Sequence, residues 1–135
     1  ERINSIRSLT NEIKGISPTQ VEKIEEKVEI ASKRIRFLLE KSVEDILANK
    51  SIQRFSKNIN LKAKQLSGYV VTEKSDIEFL LKLFGKYSVP EHDGGVSTEY
   101  QKPSLVDITN DLADFEKWKN DFAIKQNDFI KVNGY

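Results

Sequence analysis

The chain has 135 residues with 22 basic and 21 acidic side chains, a net charge of +1, one histidine and no cysteine. Disulfides, thiolate metal sites and cysteine nucleophiles are excluded, and a multi-histidine metal site cannot form within one chain. Hydrophobic residues at 38% and charged residues at 32% fit one helical domain with a modest core. Overall charge announces no nucleic-acid binder, so any such surface has to be a local patch. No apolar run approaches membrane-spanning length, and no signal peptide is visible. Methionine is absent even at position 1, so the expectation is a processed chain or a piece of a longer one.

Ile3, Ile6, Leu9 and Ile13 recur at helical spacing and predict a first amphipathic helix closed by Gly15. A single long central helix is then expected over Ser17–Asn49, with Ser17 as N-cap, Pro18 at the first helical position and Gln20 completing a capping box. Its buried stripe reads Val21, Ile24, Val28, Ala31, Ile35, Leu38 and Ile46. That length is unusual in a small domain, which leaves room for a kink or break. From residue 51 to residue 71 the pattern reads as a short helical turn and an irregular connector ending near Gly68. The connector carries Arg54, Lys57, Lys62 and Lys64 interleaved with Phe55 and Tyr69. Basic side chains among aromatics suit phosphate contacts and base stacking; a solvated linker reads the same way.

Thr72 or Ser75 is the expected cap of the next helix, with Glu78 completing a box from Ser75. Its apolar face reads Ile77, Leu80, Leu81 and Phe84, extended by Phe79 and Leu83, so it should be the most buried helix. It ends near Tyr87, because Pro90 disfavours helix at Val89. A loop over 89–103 follows and holds Asp93-Gly94-Gly95 and the sole histidine, His92. Ser104 and Asp107 form a capping box for the last helix, whose stripe reads Leu105, Ile108, Leu112, Phe115, Trp118 or Lys119, and Phe122. The tail after Gln126 either packs or frays. The fold expected is all-α, a bundle of four or five helices in a single domain spanning 1–135.

Arg36 and Glu40 lie one turn apart on the long helix. With His92 they supply what metal-free RNA cleavage needs. A base takes the proton of the attacking 2′-hydroxyl, an acid protonates the leaving 5′-oxygen, and a cation stabilises the phosphorane. Histidine transfers protons near neutral pH, and the arginine fork matches phosphate oxygens. The bland counterparts are a surface salt bridge and an ordinary loop histidine. The order Arg before Glu is the weaker one for helix support.

RFLLEKS, followed about fifty residues later by a histidine beyond an apolar helix, resembles the C-terminal nuclease domain of anticodon nucleases of the PrrC and RloC type. The stretch KPSLVDITNDLADFEKW resembles their final amphipathic helix, and the likeness covers roughly Ile24 to Phe122. These proteins join an ABC-type ATPase to a toxin domain of the HEPN class. The resemblance implies a cytoplasmic antiphage endoribonuclease cutting tRNA, with Arg36, Glu40 and His92 catalytic and no cofactor or metal. RNA would also meet Arg54, Lys57, Lys62, Lys64 and Lys86. It further implies an ATPase module on the same or a partner chain, and a homodimer. In two respects the chain departs from the family's pattern: Lys86 stands where an Arg precedes the histidine, and the connector before the last helices is longer. The competing expectations are a non-catalytic oligomerisation or docking domain of an ABC-type ATPase and, on heptad-like spacing alone, a coiled-coil adaptor.

Overall fold

The computed structural model describes residues 2–47, 62–88 and 102–134. The described residues form five α-helices, with no strand among them: α1 Arg2–Lys14, α2 Val21–Ser42, α3 Ala63–Val71, α4 Lys74–Tyr87 and α5 Leu105–Val132. A π-helical turn, Val43–Leu47, continues α2. The architecture is the all-α bundle expected. α1 lies on α2 and α5, α2 also packs on α4 and α5, and α3 lies on α5 and the π-turn.

α1 buries the stripe read from its sequence, Ile3, Ile6, Leu9 and Ile13. α5 buries Ile108, Leu112, Phe115 and Phe122. The alternative at 118 or 119 resolves to Trp118, which packs on the core, while Lys119 is exposed. Ser104 and Asp107 make the expected capping box. The tail does not fray at Gln126, because α5 runs on to Val132.

Three expectations need correction. First, α2 begins at Val21 rather than at Pro18. The Gln20 N–H donates to the Ser17 carbonyl at 2.9 Å, and the Ser17 hydroxyl pairs with that of Thr19. Residues 17–20 are thus a separate turn, and the Gln20 carbonyl accepts the first helical bond, from Ile24. Val21, taken for core, is 55% exposed. Second, the connector ending near Gly68 is helical over its last part, as α3. Gly68 permits this: a Cβ there would lie 1.5 Å from the Leu47 carbonyl oxygen. α3 therefore rests backbone to backbone on the π-turn, where only glycine fits. Beside that close approach, Gln126 Nε2 donates to the Ile46 carbonyl at 3.0 Å, satisfying a backbone group in the widened turn.

Third, α4 is capped by Glu73 with Asp76, not by Thr72 or Ser75. Its buried side is Asp76, Leu80, Leu83 and Tyr87, while Ile77 and Leu81 are exposed. The helix is turned so that a carboxylate, not an apolar residue, starts the inner stripe. Asp76 is tolerated there because every lone-pair direction it needs is filled. Trp118 Nε1 donates at 2.9 Å, Lys125 Nζ at 2.7 Å and the Glu73 N–H at 2.8 Å. Phe79 stacks on Trp118, and Phe115 and Phe122 pack against the same indole.

Candidate functional site

Arg36 and Glu40 sit in the C-terminal third of α2, with Arg36 Nε 3.4 Å from Glu40 Oε1. Both side chains are about one-third exposed, 36% and 30%. α4 supplies a third element. The Arg36 guanidinium lies over the Phe84 ring, 5.6 Å from its centroid, so an aromatic face holds the fork in place. Nε faces Glu40, and the two terminal nitrogens have no hydrogen-bond partner among the described residues. A bidentate donor edge is therefore presented beside a carboxylate at a partly exposed position.

Phe84 lies one turn before the C-terminal end of α4, and the chain beyond Tyr87 leads to His92. His92 itself falls outside the described residues, as do Arg54 and Lys57. Lys64 lies on α3, whose first side chains are outside the description. Lys62 is the exposed N-cap of α3. Lys86 is near the end of α4 and is taken up internally, 3.3 Å from Asp107 and 2.8 Å from Asp111. The structure thus places Arg36 and Glu40 together and ties Lys86 to α5.

The Lys86 cluster is a polar seam that spacing alone did not disclose. Tyr87, buried, donates its hydroxyl to Asp111 at 2.6 Å. Burial, then the bond to Asp111 and that residue's charge, push the Tyr87 phenol well above its ordinary range. Burial disfavours the charged form of Lys86, but Asp111 and Asp107 outweigh it and raise the ammonium above its usual value. Asp107 is held below the ordinary carboxylate range by the Ser104 N–H and hydroxyl and by Lys86.

The Asp76 cluster has the same logic. Burial would raise that carboxyl, yet the bonds from Lys125, the Glu73 backbone and Trp118 leave it lowered. Lys125 is raised in turn, with burial opposing and Asp76 and Glu73 prevailing. The one available signal was Asp76 itself, four residues before Leu80 on the stripe. Among the described residues, no three His, Asp or Glu side chains gather as a metal would require.

No protein-family model matches the sequence, and neither curated proteins nor solved structures yield a match.

Proposed function

We propose that this domain cleaves RNA by metal-independent attack of the 2′-hydroxyl, with Arg36 as the phosphate-binding cation. The reading rests above all on the Arg36 fork, whose terminal nitrogens meet no partner among the described residues, and which lies beside Glu40 and is set over Phe84 near the end of α4. His92 follows Tyr87 by five residues, a span of at most about 18 Å of extended chain, so covalent reach to the Arg36 side of α4 exists. Arg36 would stabilise the phosphorane, His92 would transfer a proton, and Glu40 would act as base or orient its partners. The likeness of RFLLEKS to the anticodon nucleases makes tRNA the substrate to test first. It also brings in an ABC-type ATPase as the controlling module, a homodimer as the assembled form and the cytoplasm as its place.

Cleavage of tRNA in excess EDTA, with end-group analysis, tests this directly. The expected products carry a 2′,3′-cyclic phosphate and a 5′-hydroxyl. Activity that EDTA abolishes and magnesium restores, with 5′-phosphate ends, would overturn all three assignments.

A docking role is favoured by a different observation. Ile77 and Leu81 are 47% and 65% exposed one turn apart on α4, and nothing stands over Gly85 one turn on. If that face binds the ATPase module, Leu81→Asp breaks the complex and leaves RNA cleavage intact.

A further inference from the structure

The opposite flank of α2 carries a second concentration of charge. Two clefts, of about 610 and 470 Å³, run along the α1–α2 side of the bundle and meet at Arg2 and Ser5, which line both. Their charged lining is Arg2, Lys33, Arg34, Lys41 and Lys119 against the single carboxylate Asp45. Five cations thus stand against one anion in the lining itself, with Lys41 and Lys33 further paired to Glu44 and Glu29 at its edge.

Several of those charges are available. Lys119 has no ion pair among the described residues. Among the described residues Arg34 donates only to the Ser5 hydroxyl, at 3.2 Å. Arg2 and Lys33 have exposed partners, Asp45 at 3.2 Å and Glu29 at 3.6 Å, and such pairs hold weakly. An aromatic group sits among them: Phe37 is 46% exposed, with the Arg2 guanidinium 5.4 Å from its ring centroid.

We infer that this groove is the track for a single-stranded stretch of RNA, its phosphates on Arg2, Arg34 and Lys119 and a base stacked on the Phe37–Arg2 pair. The inference rests on the RNA reading of the domain and extends it to how the substrate lies. Cations along a groove with one stacking aromatic are the two elements that hold an unpaired strand. A duplex would leave no base free to stack. From Lys33 to Lys41 the track runs about 12 Å along the helix. Lys33 also connects the track to the Arg36 side. At about 100° per residue it lies about 40° from Phe37 in one direction and about 60° from Arg36 in the other. A strand leaving the groove over Lys33 thus arrives at Arg36 and Glu40.

The test is fluorescence anisotropy with a labelled 2′-O-methyl oligouridine, which cannot be cleaved by the chemistry proposed, titrated over a range of salt. Arg34→Gln combined with Lys119→Gln should weaken binding at least tenfold at low salt. It should also flatten the slope of log affinity against log salt by about 1.4, since each phosphate left without its cation removes about 0.7. Phe37→Ala should weaken binding roughly tenfold without changing the slope. All three sites are exposed, and circular dichroism checks that each variant folds. Bound oligonucleotide should also protect Lys119 of the unaltered protein from acetylation.

Wild-type affinity and slope in the double variant would overturn the track. So would an equal loss from Lys74→Gln on α4. Unchanged affinity in Phe37→Ala would reduce the groove to an unspecific polyanion surface and overturn the inference as well. The two readings separate cleanly. Cleavage of tRNA with groove variants fully active removes the track and keeps the nuclease. Groove-dependent binding without any cleavage keeps the track and removes the nuclease. No binding and no cleavage removes both.

Discussion

The α4–α5 seam and the outer surface of α2 both hold ion pairs, and they use them differently. In the seam, Asp76 takes three donors at 2.7–2.9 Å and is 5% exposed, and Asp111 takes Tyr87 and Lys86. These carboxylates are committed to holding two helices together. On α2, Arg36 and Lys33 meet their carboxylates at 3.4 and 3.6 Å, and their side chains are 36% and 71% exposed. Such pairs contribute little stability and leave donors over. The difference teaches which charges to assign to structure and which to a ligand: the buried ones are fully engaged, and the surface ones are not.

The sharpest way to break this division is activity. Arg36→Lys keeps the charge and loses the fork, so tRNA cleavage should fall about 10²–10³-fold, the usual cost of one preorganised donor to a transition state. Full activity in that variant would return Arg36 to the class of ordinary surface pairs.

The seam should respond in stability instead. Asp76→Ala leaves the Trp118 N–H and the Lys125 ammonium without their acceptor, and should cost about 2–4 kcal/mol in urea unfolding. A loss below about 1 kcal/mol, the range of exposed pairs, would mean that the seam is as loosely held as the surface.

Acidity probes the same carboxylate. The folded-state pKa of Asp76 is depressed, so its contribution is complete above the unfolded value near ~4 and fades as pH falls through the folded one. Urea midpoints should drop on acidification below about pH 4, and less steeply in Asp76→Asn. At the alkaline end Tyr87, Lys86 and Lys125 are all raised. Their contribution is complete below about pH 10 and fades as pH rises beyond it. Equal acid slopes for Asp76→Asn and the unaltered protein would contradict the first half of this.

The smallest effect expected is that of Arg36→Ala on stability. The variant gives up one exposed ion pair and one cation–ring interaction, so the change should stay under about 1 kcal/mol. A larger effect would place Arg36 with the seam.

What the sequence by itself determined is what short-range chemistry dictates. The stripes of α1 and α5 were legible because each repeats every three or four residues within one helix. The Ser104–Asp107 box was legible because its partners lie three apart. So was the Arg36–Glu40 pair, one turn apart on an uninterrupted stretch. Tertiary structure alone decided the rest, since the deciding partners are distant in the chain. Asp76 turns α4 inward by way of Trp118 and Lys125, 42 and 49 residues on. α3 is seated where Gly68 meets the Leu47 carbonyl, a backbone approach that leaves no periodicity to read. Ser17 was a sound cap by composition, but the separate turn over 17–20 moved the start of α2 to Val21. The setting of Arg36 over Phe84 joins residues 48 positions apart, and the groove joins α1, α2 and α5. Local spacing placed the candidate side chains along α2, and only the packing of other helices around α2 decided what each one faces.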